Sequence, residues 1–148
     1  RPPRSTLFPY TTLFRSNLPA LYGLHASLRY LATTGLEAIR AKELALTQIL
    51  LDGFADLDGA VLVGPRSLDE RVAVVSVDFP GRDNGEMAFR LDKEYGIQTR
   101  PGLHCAPTAH KTLGTFPQGS VRFSPGHFNT EQEMHAVIAA VRRILADS

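Results

Sequence analysis

The chain has a single cysteine, no tryptophan and only two methionines. One cysteine cannot close an internal disulfide, and one thiolate cannot build a zinc or iron–sulfur site alone. With no secretory pattern beside it, that cysteine count points to a reducing, cytoplasmic setting. No apolar run is long enough to span a bilayer, so no membrane contact is expected. Neither sign of charge dominates: 16 Lys and Arg stand against 15 Asp and Glu, a formal net charge of +1. That balance indicates no surface for nucleic acid. Internal repeats and low-complexity segments are also missing. What is there, 148 residues of which 43% are hydrophobic and 21% charged, suits one folded domain with its own core.

The first sixteen residues stand apart. Residues 1–16 contain no acidic residue and follow neither a helical nor a strand period. Residues 6–16 (TLFPYTTLFRS) are what a common short-read sequencing adapter encodes. They are read as an artefactual cloning or assembly scar, not as a basic targeting arm, and are set aside from fold reasoning. Without Arg1, Arg4 and Arg15 the remainder is slightly acidic. The expectation is a natural sequence that starts near Asn17 and is truncated at its front.

Residues 18–31 are apolar with helical spacing: Leu21, Leu24, Leu28 and Leu31 lie three and four apart before Thr33, Thr34 and Gly35 interrupt them. A second helix is predicted over residues 36–55. Leu36, Ile39, Glu43, Leu46, Leu50, Gly53 and Leu57 mark its stripe, and Leu44, Ile49 and Phe54 widen the apolar face. Asp58-Gly59 is a turn, and residues 60–63 (AVLV) read as a short strand closed by Gly64-Pro65. The β-branched residues 71–78 predict a strand that Pro80-Gly81 ends. Asp83 with Glu86, and Thr130 with Glu133, have capping-box spacing, so helices are predicted over residues 85–95 and from Thr130 onward. Gly96 stops the first of these. Residues 97–100 read as a brief strand, the Pro-, Gly- and Thr-rich stretch after Cys105 as a loop, and residues 119–124 as an alternating strand. The last helix is expected to bury Met134, Val137, Ile138, Val141, Ile144 and Leu145, with Arg142 and Arg143 near its negative end. This order predicts an α+β layer, with helices packed on one side of a small sheet.

The chemistry concentrates in Arg100-Pro101-Gly102-Leu103-His104-Cys105-Ala106-Pro107. Pro101-Gly102 is a turn signal, so Cys105 is expected on a loop or strand end. Arg100 is a nearby cation, which favours the thiolate, the reactive form. An inert cysteine at a loop edge fits the same spacing, and the residues alone leave both readings open. His104 is placed to exchange a hydrogen bond with the thiolate, yet neighbours on an extended chain point to opposite sides. His25, His110, His127 and His135 lack metal-ligand spacing and are read as structural or exposed, and no metal site is expected.

Three segments then carry a resemblance: residues 100–107, residues 109–115 (AHKTLGT) and residues 119–131 (GSVRFSPGHFNTE). Together they resemble the C-terminal part of cysteine desulfurases, within the class V aminotransferase-like, pyridoxal-phosphate-dependent enzymes of fold-type I. The likeness runs from about residue 17 to the end, and its specific parts are the Cys loop and residues 122–130. It implies that residues 17–34 are a helix left from the large domain and that residues 35–148 are the small C-terminal domain carrying the Cys loop. It implies pyridoxal phosphate held as a Schiff base by a lysine of the large domain. L-cysteine would be the substrate, Cys105 the thiolate that takes its sulfur as a persulfide, and L-alanine the product. Arg122 matches the arginine that pairs with the substrate carboxylate, a role that suits a planar guanidinium. Arg100 matches an arginine of the Cys loop and is grouped with Arg122 as substrate-binding, although loop stabilisation would also explain it. The resemblance further implies a homodimer and a sulfur-acceptor protein, with sulfur passed toward iron–sulfur cluster assembly. The short connection from Cys105 to the Arg122 strand resembles the branch whose nucleophile sits on a short, ordered lobe. Leu103 stands where another branch has a histidine, so a proton relay at that position is not available.

Three lysines are present, Lys42, Lys93 and Lys111. His110-Lys111 looks like the family's cofactor-bearing pair, but it follows Cys105, whereas the family's lysine lies far upstream. The family's pyridine-pairing aspartate, ring-stacking histidine and phosphate loop are missing as well. The chain alone is therefore expected to be inactive and to bind no cofactor covalently. Its leading helix is expected to be sticky for want of a neighbour. The alternatives are a stand-alone persulfide carrier or inert fragment, and a selenocysteine lyase (acting on L-selenocysteine) or other class V aminotransferase. A small Cys-His hydrolase using His127 or His135 as base lacks a visible third partner. The desulfurase reading requires the Cys105 thiol to face outward rather than into the domain's interior.

Overall fold

A computed structural model of the chain describes residues 17–69 and 71–147; the segment 1–16 read as a scar lies outside them. Among the described residues five helices and four strands follow in order: α1 (Leu18–Thr34), α2 (Leu36–Ala55), β1 (Val61–Val63), β2 (Val75–Asp78), α3 (Asn84–Tyr95), β3 (Arg100–Gly102), α4 (Pro107–Thr112), β4 (Ser120–Phe123) and α5 (Glu131–Ala146). The described residues divide into two compact units that meet between Ile39 and Arg40 in the chain.

The first unit is described from Asn17 and consists of α1 and the start of α2. The Asn17 side chain caps α1 by accepting from the Ala20 amide at 3.1 Å. Gly35 ends it with φ 84, its amide donating to Leu31 O. No residue of α1 is buried, and Leu21, Leu24 and Leu28 are each more than half exposed.

The second unit is an α+β layer. Its antiparallel sheet has the order β1-β2-β4-β3. Strand alternation divides the sheet's faces: Val75 and Val77 of β2 and Val121 and Phe123 of β4 are buried in the core. The same cluster takes Leu46, Leu50, Leu51 and Phe54 from α2, Met87 and Leu91 from α3, and Met134, Val137, Ile138, Val141 and Ile144 from α5. Phe54 and Phe123 meet with ring centroids 4.9 Å apart. Burying each such side chain contributes roughly 1.5–3 kcal/mol. Two fully buried polar residues share this interior: Thr47, whose Oγ1 donates to Glu43 O at 2.7 Å, and Asn84. Asn84 Oδ1 accepts from the Phe79 amide at 3.2 Å, and its Nδ2 donates to Asp78 Oδ1 at 2.8 Å and to Gly119 O at 3.1 Å.

The helix ends match their sequence signals. Asp83 Oδ1 accepts from the amides of Gly85 and Glu86, and Gly96 closes α3 in the left-handed region at φ 67. Thr130 and Glu133 form a reciprocal capping box. Elsewhere the expectations need correction. The strand expected over residues 71–78 begins only at Val75. The Arg71 guanidinium donates to the carbonyls of Ser67, Val74 and Pro65 and holds the preceding residues in a loop. The strand expected over residues 97–100 lies at Arg100–Gly102, and the stretch after Cys105 is not all loop but includes α4. Leu145 is half-buried, and Ala140 takes a core position that the apolar pattern does not mark. Of the stripe on α2, Leu36 is exposed and Ile39 half-buried.

Candidate functional site

β3 and β4 bring the two predicted arginines together. Their register pairs Arg100 with Arg122, Pro101 with Val121 and Gly102 with Ser120. Directly opposed residues share a face, so both guanidinium-bearing chains stand on the side of the sheet away from Val121 and Phe123. On the other flank Arg122 pairs with Ser76 of β2. Arg122 is half-buried, its Nε is shielded from solvent with no hydrogen-bond partner, and Arg100 is exposed. Among the described residues neither arginine forms an ion pair; the two ion pairs of the structure both belong to Arg90. Like charges set opposite each other are unfavourable. An anion between them removes that cost, and a carboxylate matches the guanidinium fork.

β3 runs straight into the turn that carries the thiol. The Ala106 amide donates to Leu103 O at 2.8 Å, closing a four-residue turn. Its two central residues, His104 and Cys105, have φ 51 and 62. Left-handed φ at both central positions is the pattern of a type I′ turn, which favours Gly and Asn. Here the positions hold neither. Cys105 is exposed and free. The outward thiol that the desulfurase reading requires is therefore present.

His104 does not follow the extended-chain expectation, because the chain is not extended at this point. Its Nε2 lies 3.2 Å from Ser120 O, and its ring centroid lies 5.8 Å from that of His110. Burial, foremost, and then the positive Arg122 hold His104 below the ordinary histidine range, with His110 and Arg100 adding to the effect and the Ser120 carbonyl opposing it. His110 is buried, and its Nδ1 meets Thr115 Oγ1 at 2.7 Å, which gives it the structural role expected of it. His25 and His135 are exposed. Among the described residues no group of three His, Cys, Asp or Glu is arranged to hold a metal.

The lysines do not fit a pyridoxal phosphate. A lysine that forms a Schiff base is activated by desolvation or a neighbouring cation. Lys42, Lys93 and Lys111 are all exposed, and Lys111 Nζ lies 5.1 Å above the Phe116 ring. None of the three offers the setting that a Schiff base needs. Two features escape a reading of the sequence. Helix α4 has a signal, Pro107 at its first turn, where a missing amide costs nothing. The His104–Ser120 link has none, since it joins residues sixteen positions apart through a turn that local propensity disfavours.

An exposed thiol on a left-handed turn, leaving the strand that sets Arg100 opposite Arg122, marks the candidate site of this α+β lobe. Residues 9–137 match the family described as aminotransferase class-V. The chain belongs to that family. It is 36% identical over 128 residues to a probable cysteine desulfurase of Mycolicibacterium paratuberculosis, covering 86% of this chain and 18% of the relative. It is 37% identical over 118 residues to one of Halobacterium salinarum, covering 80% and 28%. The apo structure of the cysteine desulfurase from Thermococcus onnurineus superposes with a TM-score of 0.79 at 31% identity, covering 85% of this chain and 30% of that one. The chain thus spans less than a third of the length of each of these proteins.

Proposed function

We propose that this chain supplies the nucleophile and the carboxylate clamp of a cysteine desulfurase. The observation that carries the proposal is the exposed Cys105 thiol on a turn leaving the strand that sets Arg100 opposite Arg122. Arg122, with Arg100 across the strand pair, holds the carboxylate of L-cysteine. The Cys105 thiolate attacks the substrate sulfur. An S–S bond forms, the substrate C–S bond breaks with its electron pair on carbon, and a proton taken up there completes L-alanine. The persulfide stays on Cys105. Holding that electron pair requires a sink, which is the chemistry pyridoxal phosphate supplies in such enzymes. Residues 17–34 are assigned to a large domain and residues 35–148 to the small one. Likeness to the desulfurases supports a cytoplasmic homodimer that hands sulfur to an acceptor protein for iron–sulfur cluster assembly.

The test joins residues 17–148 in frame to the cofactor-binding part of a related desulfurase. The expected result is alanine formed from L-cysteine and a persulfide on Cys105 by mass spectrometry, with both lost in Cys105→Ser. Residues 1–148 alone, given pyridoxal phosphate and L-cysteine, are expected to yield no enzymatic alanine. Alanine production by the fusion that survives Cys105→Ser would overturn the assignment. Persulfide on Cys105 after incubation with an intact desulfurase, with no turnover by the fusion, would favour a sulfur carrier instead.

A further inference from the structure

We infer that His104 is a positioning residue: its Nε2–H donates to Ser120 O and pins the left-handed Leu103–Ala106 turn to β4, so that the thiol and Arg122 are held by one strand. The purpose of this link rests on the sulfur-transfer reading, but its geometry does not. The Ser120 carbonyl can only accept, so the hydrogen in the 3.2 Å contact belongs to His104 Nε2. That choice leaves Nδ1 as a bare acceptor if the ring is neutral, or as a second donor if it is charged. Nδ1 is buried and has no partner. A charged ring would strand a buried N–H and set a cation against Arg122 of β4, Arg100 of β3 and the His110 ring of α4. The neutral Nε2–H tautomer avoids both penalties.

The turn needs such a tether. His104 and Cys105 occupy a region that residues with a Cβ disfavour, and neither is the Gly or Asn that relaxes a turn of this kind. The surrounding structure must hold them there. Only one hydrogen bond, Ala106 N to Leu103 O, closes the turn from within. The His104 bond ties it from outside to Ser120. Two positions further along β4, on the same face, stands Arg122. A nucleophile held this way keeps a set distance from the carboxylate clamp, and such positioning is a large part of catalytic rate.

Two readouts test the link on isotope-labelled residues 1–148, and neither involves sulfur transfer. Long-range imidazole NMR is expected to show His104 as the Nε2–H tautomer with bare Nδ1 at neutral pH, becoming charged only below the ordinary histidine range. Hydrogen exchange at the Ala106 amide is expected to quicken about fivefold in His104→Ala, the loss of one ordinary hydrogen bond. In His104→Gln, whose amide N–H can reach Ser120 O, it is expected to stay nearer the parent value. Should the alanine variant fail to fold, the tautomer and the glutamine variant still decide. An Nδ1–H tautomer would overturn the inference, as would Ala106 exchange in His104→Ala that matches the parent. Because sulfur chemistry is absent from both measurements, a failed desulfurase assignment would leave them standing.

Discussion

Replacing Gly119 with alanine should cost more than replacing Gly53, although the two new methyl groups meet neighbours at nearly the same distance. A Cβ on Gly119 would lie 2.2 Å from the backbone carbon and oxygen of Gly102, and φ there is +78. A Cβ on Gly53 would lie 2.1 Å from Cδ1, 2.6 Å from Cγ1 and 3.2 Å from Cγ2 of Ile138, a side chain rather than backbone. Backbone cannot step aside without breaking the Gly102–Ser120 pairing at the end of β3. The left-handed φ costs roughly 1–2 kcal/mol for any L-residue with a Cβ. Losing one or two sheet hydrogen bonds adds about 1 kcal/mol each. Gly119→Ala is therefore expected to destabilise by about 3 kcal/mol, a large share of the roughly 5–15 kcal/mol that a domain has. At Gly53 the buried Ile138 must shift, and overpacking of this kind costs roughly 1–3 kcal/mol. The gain in helix propensity from Gly to Ala, about 1 kcal/mol, offsets part of it. Urea denaturation with an unchanged slope would measure both. Gly119→Ala should also alter the alkylation rate of Cys105, because Gly102 leads into its turn, whereas Gly53→Ala should not. A Gly119→Ala protein within about 1 kcal/mol of the parent, or a Gly53→Ala protein that is the worse of the two, would refute this reasoning.

Asn84→Ala leaves the Phe79 amide and the Gly119 carbonyl without their partner and should cost roughly 2–4 kcal/mol, seen as a lowered Tm. Thr130→Ala removes one half of the capping box and should cost about 1 kcal/mol by denaturant titration. The Thr130 amide, then the Asn129 side chain, hold the Glu133 carboxyl below the ordinary carboxylate range, and Arg90 does the same for Glu94. A lowered folded value means that stabilisation is complete above the unfolded value and is lost as pH falls through the lowered one. Stability should thus decline in acid, and Glu133→Gln should flatten part of that decline in a pH series of urea midpoints. In the in-frame fusion, Arg122→Lys should raise KM for L-cysteine about tenfold while changing kcat less, because a point charge replaces a two-bonded fork. Charged replacements at Leu24 and Leu28, both more than half exposed, should reduce self-association of residues 1–148 on size exclusion.

Local signals are legible in the sequence and non-local ones are not. The capping box at Thr130 and Glu133 and the apolar spacing of α5 sit within a few residues of one another, and the sequence names both. The outward thiol is legible only in part: Pro101-Gly102 signals a turn, but both residues lie in β3 and the turn itself spans Leu103–Ala106. The sequence pattern puts the strand before it three residues early, because Pro101 looks like a strand breaker. β3 is an edge strand, where a missing amide does no harm, and the proline sits inside it. Helix α4 is hidden by the Pro-, Gly- and Thr-rich composition of its surroundings, although Pro107 opens it and Gly114 follows it. Asn84 reads in sequence as one more polar residue of a turn; only the meeting of three backbone and side-chain groups around it explains its burial.

The placement of Arg122 follows from the same alternation that builds the core. Along β4, Val121 and Phe123 are 0% and 4% exposed, so the hydrophobic effect fixes which face of the strand turns inward. Ser120 and Arg122 are then committed to the opposite face, with no further instruction needed. A slip of one residue would drive the Arg122 guanidinium among Phe54, Val75 and Val141, where no carboxylate waits for it. It would also bring Phe123 out to the face beside Ser76. The core therefore fixes the face from which Arg122 presents its guanidinium. Because Arg100 is registered against Arg122 and the Cys105 turn springs from the end of the same strand as Arg100, the apolar residues of β4 constrain both arginines and the thiol together.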